Sequence, residues 1–206
     1  RIFNIGSVAL DKFHNEEVYT LDEMQDYFKI PSKIKNYALL IFHPIPKERK
    51  QSAKIFENIL LALKEKNIFT FVSHPNIDPG SSDIVSIINK FKNTHGFNFY
   101  KSQPRKIFLS IYKNADFIIG NSSSGIIESA SIPIPAINVG IRQTSRASNK
   151  NVIFCNTTKK SIENAIEISK SKKFQNTLKN INNIYGGGSS IQNAFKIIKE
   201  NTFSEL

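Results

Sequence analysis

The sequence predicts an α/β fold in which a doubly wound parallel sheet is covered by helices on both faces. Two observations predict it. Short, nearly unbroken apolar runs recur along the chain, as is typical of strands buried on both sides. Most of these runs are followed by a segment whose apolar residues have helical spacing. A chain of 206 residues can bury one full core, so most of it is expected to form one domain.

The predicted strands are apolar runs that end at glycine or at polar residues. They are Tyr37–Phe42, Ile68–Val72, Phe97–Tyr100, Phe117–Ile119, Ile134–Val139 and Val152–Cys155. Their apolar residues are mostly consecutive rather than alternating, which favours a parallel sheet between two layers of helices.

The predicted helices lie between and after these strands. They are Ala53–Leu63, Ile84–Phe91, Pro104–Lys113, a segment after Ser124, and segments that begin at about Thr158, Lys172 and Ser190. Pro104 suits a first helical turn, where the N–H that proline lacks would have no partner. Thr20 and Glu23 have the spacing of a capping box and predict a further short helix near the start of the chain.

The first residues predict that part of a longer protein precedes them. The chain begins with Arg1, and Ile2–Ser7 have the pattern of a strand and its exit. We therefore expect residues 1–35 to be an incoming strand and a linker or appendage from a missing N-terminal domain. Residues 36–206 are expected to form the main domain with its C-terminal helices.

Composition argues against several classes of partner. The net charge is +11, but the lysines are scattered rather than gathered into a stripe with aromatic residues, so we expect no nucleic acid partner. No apolar run approaches the roughly 20 residues that span a bilayer, so we expect no membrane partner. Cys155 is the only cysteine, which excludes an internal disulfide. A cytoplasmic protein is the resulting expectation.

The segment 115–128 predicts an anion site. Phe117–Ile119 ends at Gly120, and Ser122–Ser124 then precede a predicted helix. The free N–H groups and dipole of a helix N-terminus attract anions, and the serine hydroxyls add donors. A single capping serine is the structural alternative. Three serines between two glycines, with Glu128 one turn inside the helix, favour a phosphate site.

Other polar residues are expected at the same edge, because right-handed crossovers bring the carboxyl ends of parallel strands together. His43 follows a predicted strand and is either a structural histidine or a donor to phosphate. Arg142 and Arg146 follow another strand, and their guanidinium groups match phosphate geometry. Asn76 and Asp78 lie after a third strand, in a segment that an ordinary turn would also explain.

A glycine-rich segment, Tyr185–Ser190, has the composition of a phosphate loop but lacks the preceding strand and the lysine of one. We interpret it as a turn between helices, with Ser189 or Ser190 as the N-cap. The loops contain no Ser-His-Asp order, no close carboxylate pair and no metal-ligand spacing. We therefore predict no metal and no cofactor.

Four segments, taken in order, resemble the UDP-N-acetylglucosamine 2-epimerase family, and its hydrolysing, sialic-acid-type branch in particular. They are Phe42–Pro44, Pro75–Ser81, Ile119–Glu128, and Ile137–Gln143 with Arg146. The resemblance implies a GT-B architecture of two Rossmann-like domains, of which this chain is the C-terminal, UDP-binding one. It implies that UDP is eliminated to give a glycal, and that water is added to give N-acetylmannosamine or a diacetamido-trideoxy analogue for sialic-acid-like biosynthesis.

The resemblance also implies roles for residues that bind the phosphates. Ser122 and Ser123 would hold the diphosphate, and Arg142 and His43 would contact phosphate. His43 is the one candidate catalytic residue in this chain, because the family's main acid and base groups lie in the N-terminal domain. We therefore expect this chain alone to be inactive and the full-length protein to be a homo-oligomer.

The remaining implied contacts concern the nucleoside and the sugar. Glu128 would accept hydrogen bonds from the ribose hydroxyls, and Asn76 would lie beside the nucleotide and sugar. Ser102 and Gln103 match the segment whose backbone meets the uracil. Two alternatives remain open: the UDP-binding half of a GT-B glycosyltransferase, and a non-catalytic nucleotide-sugar-binding domain.

Overall fold

The centre of the fold is a parallel β-sheet. The computed structural model describes residues 1–45 and 49–201. In these residues the strands are β1 (Ala38–Ile41), β2 (Thr70–Ser73), β3 (Phe97–Tyr100), β4 (Phe117–Gly120), β5 (Ala136–Val139) and β6 (Val152–Cys155). Their order in the sheet is β3-β2-β1-β4-β5-β6, and all pairs are parallel. The predicted doubly wound, Rossmann-like sheet is confirmed.

The helices connect the strands and flank the sheet. They are α1 (Val8–Asn15), α2 (Leu21–Phe28), α3 (Arg49–Glu65), α4 (Ser81–Phe91), α5 (Arg105–Lys113), α6 (Ser124–Ile127), α7 (Lys159–Lys170), α8 (Lys172–Leu178) and α9 (Ser190–Glu200). A 3₁₀ turn, Ser129–Ser131, follows α6. None of the described helices is long and apolar enough to span a membrane.

The side chains of β1 alternate between two hydrophobic cores. Ala38 and Leu40 pack with α3, α4 and α7 on one face of the sheet. Leu39 and Ile41 pack with α1, α2 and α5 on the other face. Burial on both faces explains why the strand has no polar alternation, and it fixes β1 in the middle of the sheet.

The direction in which successive strands are added to the sheet reverses between β1 and β4, although all strands are parallel. From β1 the chain runs outward to β2 and β3, and it then crosses back to place β4 on the other side of β1. A crevice opens at the carboxyl ends of the strands where such a reversal occurs, and ligands of α/β sheets bind there. The β1–β4 boundary is therefore the place to look for a site.

The strand predicted at Ile68–Val72 begins later than expected because a helix ends first. Asn67 has a left-handed φ of 51°, and the Ile68 N–H donates to the Leu63 carbonyl oxygen at 3.0 Å. This is the bond that closes the end of a helix. Ile68 therefore closes the end of α3 and is not part of a strand, and β2 starts at Thr70.

The predicted strand at Ile2–Ser7 is wrong. These residues join no strand of the described sheet, because hydrogen bonds hold them elsewhere. The Gly6 N–H donates to the Asn4 side chain at 3.0 Å, and the Ser7 N–H donates to the Tyr185 carbonyl oxygen at 2.7 Å. The start of the chain is thereby bound to the glycine-rich turn near its end.

Asp11 on α1 completes this contact by binding the first turn of α9. Its carboxylate accepts the Ser190 N–H at 2.9 Å and the Ile191 N–H at 2.7 Å. Of the two N-cap residues that the sequence predicted, Ser189 occupies the position, but its side chain makes no capping bond. A buried carboxylate from a distant helix takes over the role that a local serine was expected to have.

The acid stability of the chain should depend on Asp11. Burial raises the pKa of this carboxyl, but the N–H bonds from Ile191 and Ser190 lower it to below its ordinary value. The stabilisation is therefore complete above the unfolded-state pKa of about 3.9 and is lost as pH falls through the lower folded-state pKa. We expect Asp11→Asn to lower the melting temperature at pH 7. Below pH 5, where the wild type loses melting temperature as Asp11 becomes protonated, the variant should lose less.

The matched control is Asp22→Asn, because Asp22 is 83% exposed and forms only a surface ion pair. Thermal unfolding followed by circular dichroism at several pH values compares the two variants. Equal pH dependence in Asp11→Asn and the wild type would contradict the role given to this carboxylate.

Candidate functional site

The candidate site lies at the carboxyl ends of the strands, at the β1–β4 boundary where the order of strand addition reverses. The segment after β1 brings His43, and the segment after β4 brings the serine loop, defined as Asn121–Ser124. The segment after β5 brings Arg142, and the segment after β2 brings Asn76. Four separate parts of the chain thus meet at this edge, as the parallel topology predicts.

Gly120 allows β4 to approach β1 closely at this edge. Its φ is +137°, and a Cβ atom there would lie 2.0 Å from the Ile41 carbonyl oxygen. Only glycine fits this position, because no side chain atom can be that close to a carbonyl oxygen. The Asn121 N–H then donates to the same Ile41 oxygen at 3.1 Å. The serine loop therefore starts directly beside the end of β1.

His43 is half-buried and is bonded to the segment that follows β2. Its Nδ1 accepts the Asn76 N–H at 3.4 Å, and the Asn76 side chain donates in turn to Asp78. An acceptor at Nδ1 places the proton of the neutral imidazole on Nε2. Burial and then the positive charge of Arg142 lower the pKa of His43, while Asp78 and Asn76 oppose this shift. His43 is therefore predominantly a neutral donor at pH 7.

The serine loop presents hydroxyl and N–H groups, but the helix behind it is short. Ser122 Oγ accepts from the Ser124 N–H at 3.3 Å and from the Ser124 hydroxyl at 3.1 Å. In the described contacts the N–H groups of Ser122 and Ser123 have no acceptor within the chain. Because α6 has only four residues, these individual donors matter more here than a helix dipole.

The predicted position of Glu128 inside a helix is wrong. Glu128 is the C-cap of α6, since the helix ends at Ile127. Two side chains bind the carbonyl oxygens that a longer helix would use. The Ser129 hydroxyl donates to the Gly125 oxygen at 2.7 Å, and the Asn183 amide donates to the Ile127 oxygen at 2.6 Å. This competition ends the helix after one turn.

Glu128 nevertheless has the features of a binding group. Burial raises the pKa of its carboxyl, and the charge of Arg105 partly offsets this shift. Its Oε2 atom is buried and has no hydrogen-bond partner among the described residues. A buried carboxylate oxygen without a donor is costly, which favours a ligand that supplies one.

The segment after β5 contributes one of the two predicted arginines. Arg142 Nη1 donates to the Asn121 carbonyl oxygen at 3.2 Å, and the buried Gln143 donates to the same oxygen at 3.0 Å. The Arg146 side chain is exposed, and no described contact joins it to this group. The structure therefore brings Arg142, but not Arg146, to the edge of the serine loop.

A cleft of about 530 Å³ opens beside His43, towards β3. It is lined by residues of the segments that follow β1, β2 and β3, including His43, Asn76, Ser102 and Gln103. Gln103 accepts a hydrogen bond from the Tyr27 hydroxyl at 3.3 Å, so α2 also supports this cleft. The cleft is large enough for a flat ring, and it places the predicted uracil-contacting residues beside His43, one of the predicted phosphate-contacting residues.

The site as a whole suits an anionic ligand attached to an uncharged ring. Arg142, the His43 imidazole and the loop N–H groups are hydrogen-bond donors for oxyanions, and the cleft offers space next to them. No three His, Cys, Asp or Glu side chains of the described residues are grouped so that they could hold a metal ion. Sequence reasoning did not assign a role to Asn121 or Gln143, although a polar residue that directly follows the glycine ending β4 was a usable indication.

The chain has clear relatives among known proteins. The family model described as UDP-N-acetylglucosamine 2-epimerase matches residues 1–199. The chain is 30% identical, over 97% of its length, to polysialic acid biosynthesis protein P7 of Escherichia coli. It is also 30% identical, over 96% of its length, to a UDP-N,N'-diacetylbacillosamine 2-epimerase (hydrolyzing) of Legionella pneumophila. These matches cover 51% of each relative, so the chain spans about half the length of the curated relatives it matches.

The fold resembles that of a solved two-domain enzyme. A UDP-GlcNAc 2-epimerase from Neisseria meningitidis, bound to UDP-GlcNAc, superposes with a TM-score of 0.76 at 14% identity. The match covers 96% of this chain and 55% of that one. The fold is therefore one Rossmann-like half of a GT-B architecture.

Proposed function

The chain belongs to the UDP-N-acetylglucosamine 2-epimerase family, and on that premise we propose that it is the UDP-binding domain of a hydrolysing 2-epimerase. The proposed reaction releases UDP from a UDP-2-acetamido sugar and gives N-acetylmannosamine or a diacetamido-trideoxy analogue for sialic-acid-like biosynthesis. The names of two relatives support the finer part of this proposal, since one is a hydrolyzing 2-epimerase and the other a polysialic acid biosynthesis protein.

The observation that carries the proposal is the convergence of oxyanion donors at the β1–β4 boundary. Arg142, the His43 imidazole and the N–H groups of Ser122 and Ser123 come from three different segments and meet around one buried residue, Asn121. A diphosphate requires such a set, because each of its oxygens needs a donor.

The other site residues extend this assignment to the rest of the ligand. The uracil would occupy the cleft beside Ser102 and Gln103, and Asn76 with Asp78 would face the sugar. Glu128 would accept hydrogen bonds from the ribose hydroxyls through its carboxylate, whose buried Oε2 has no donor among the described residues. Arg146 stays a predicted phosphate ligand that would have to move towards the site.

Elimination of UDP breaks the C1–O bond and leaves its electron pair on a phosphate oxygen, while a base removes the C2 proton. This chain's contribution is to stabilise the departing charge with Arg142 and the serine-loop donors and to donate from His43 Nε2 to a phosphate oxygen. Water then adds across C1 and C2 of the glycal with inversion at C2.

We propose that the groups that move the C2 proton and activate water lie outside this chain. Its described site offers no paired carboxylates at the β1–β4 boundary, and the reaction also needs a cleft that excludes water, which a single Rossmann-like domain does not form by itself. The purified chain is therefore expected to release no UDP from UDP-N-acetylglucosamine above background in a coupled assay. Release well above background would place the acid and base here, with His43 as the first residue to test.

Of the alternatives, the family match over residues 1–199 argues against a glycosyltransferase half. A non-catalytic nucleotide-sugar-binding domain would use the same site, so only the activity of the longer protein separates it from an epimerase. A cytoplasmic location, homo-oligomerisation of the full-length protein and the lack of a nucleic acid partner stay predictions.

UDP should bind to the isolated chain, and free N-acetylglucosamine should not, because the donors suit phosphate and the groups that face the sugar are few. Arg142→Ala should weaken UDP binding by ~1.5–3 kcal/mol, the usual range for a charged hydrogen bond. Isothermal titration calorimetry measures all three affinities.

Arg1→Ala is the matched control, since Arg1 is exposed and bonds only to Asn201 near the far end of the chain among the described contacts. It should leave UDP affinity unchanged. Sugar binding as strong as UDP binding, or equal effects of the two arginine substitutions, would contradict the proposed site.

Glu128→Gln should separate a nucleotide site from a general anion site. The carboxylate repels phosphate but accepts hydrogen bonds from a ribose diol, as acidic residues do in dinucleotide-binding folds. We expect the substitution to weaken UDP by about 1 kcal/mol and to leave inorganic pyrophosphate binding equal or slightly stronger. Calorimetry with both ligands on the same variant measures this difference.

The control for this experiment is Glu57→Gln on α3, which is far along the chain from the serine loop and forms an ion pair with Lys54. It should change neither affinity. If Glu128→Gln lost UDP and pyrophosphate binding in parallel, the ribose assignment would be wrong and Glu128 would instead support the loop.

A further inference from the structure

We infer that Asn121 is the positioning residue of this site: it holds the His43 segment with its side chain and Arg142 with its carbonyl oxygen, and so sets the spacing of the two groups that flank the phosphate. The identity of the ligand in this inference rests on the proposed function, whereas the hydrogen bonds of Asn121 are independent of it.

The Asn121 side chain is fully buried and binds the backbone of His43 at two points. Its Oδ1 accepts the His43 N–H at 2.8 Å, and its Nδ2 donates to the His43 carbonyl oxygen at 2.8 Å. The β1–β4 pairing ends at Ile41 and Gly120. The amide therefore continues the ladder by imitating a backbone peptide group where the strands have already ended.

The Asn121 backbone holds the opposite side of the site. Its carbonyl oxygen accepts from Arg142 Nη1 at 3.2 Å and from Gln143 Nε2 at 3.0 Å. The N–H donates to the Ile41 oxygen at 3.1 Å. All the polar groups of one residue are thus used to join the ends of β1 and β4 to the segment after β5.

The type of residue follows from these bonds. Only a primary amide offers an acceptor and a donor side by side, and asparagine has the length that fits between the strands. Aspartate would keep the acceptor but would place a carboxylate oxygen against the His43 carbonyl oxygen. Leucine has the same shape and removes both bonds, which leaves the His43 N–H and carbonyl oxygen unpaired.

What makes the residue functional is the pair of groups that it holds. Arg142 and His43 would flank the phosphate from two directions, and a guanidinium with one N–H bound to Asn121 keeps its other donors for a ligand. The groups whose charges act on His43 are Arg142, which lowers its pKa, and Asp78, which raises it, and the Asn76 N–H is bonded to its ring. Loss of the Asn121 side-chain bonds would free the His43 segment, so that the ring would be less buried and less exposed to the charge of Arg142, and the pKa of His43 should rise.

The test compares Asn121→Leu and the smaller Asn121→Ser with the wild type. The matched control is Gln25→Met, a substitution of similar shape at another buried amide, which bonds to the Ile34 carbonyl oxygen and to no site residue. Each variant is measured by thermal unfolding, by calorimetry with UDP, and by NMR titration of the His43 ring protons, which a His43→Gln spectrum identifies. A double variant with Arg142→Ala completes a mutant cycle.

We expect the Asn121 variants to fold, to bind UDP at least tenfold more weakly than Gln25→Met, and to raise the pKa of His43. The effect should be non-additive: in an Arg142→Ala background, the Asn121 substitution should cost less than a third of its effect on the wild type. A merely structural asparagine would not produce this coupling.

Three results would overturn the inference. The first is that the Asn121 variants bind UDP as tightly as Gln25→Met does. The second is that their effect is fully additive with that of Arg142→Ala while the pKa of His43 is unchanged. The third is that both Asn121 variants fail to fold, which would make Asn121 a structural residue. Failure of the proposed function is a different outcome. In that case the wild type binds no UDP, while the His43 titration still tests whether Asn121 holds the two groups together.

Discussion

The close approach of β4 to β1 at Gly120 is the constraint on which the site depends. A glycine at φ +137° lets the chain pass the Ile41 carbonyl oxygen at a distance that excludes any side chain. Asn121 is then carried to where its amide reaches His43 on one side and its carbonyl oxygen reaches Arg142 on the other. Without this contact the loops would still follow the strands, but their donors would not have a fixed spacing.

The sequence allowed most of the sheet to be predicted because strands buried on both faces need apolar residues at every position. The same reasoning failed at Ile2–Ser7, where an apolar pattern exists but the residues bond to a distant turn instead of a neighbouring strand. It also missed α1, which is short and has only two buried apolar residues, Leu10 and Phe13, three positions apart. A strand or helix of few residues is stabilised mainly by its tertiary contacts, and these contacts cannot be recognised from a local sequence pattern.

The site was predictable to the extent that topology determines it. His43, Asn76 and Arg142 meet because each follows a parallel strand, and the cleft adds Ser102 and Gln103 for the same reason. The details that depend on side-chain competition were not predictable. Ser129 and Asn183 shorten the helix behind the serine loop, so Glu128 lies at its end rather than inside it. The buried amides of Asn121 and Gln143, which organise the site, leave no periodic trace in the sequence.

The contact between the two ends of the chain has a consequence for the order of folding. The bonds from Asp11 to the first turn of α9, and from Ser7 to Tyr185, join residues about 180 positions apart. Closing such a long loop costs more chain entropy than pairing β1 with β2, which lie about 30 positions apart. The end contact is therefore expected to form late in folding and to open early in unfolding. The sheet and its edge can assemble first, and α1 and α9 can then dock onto each other.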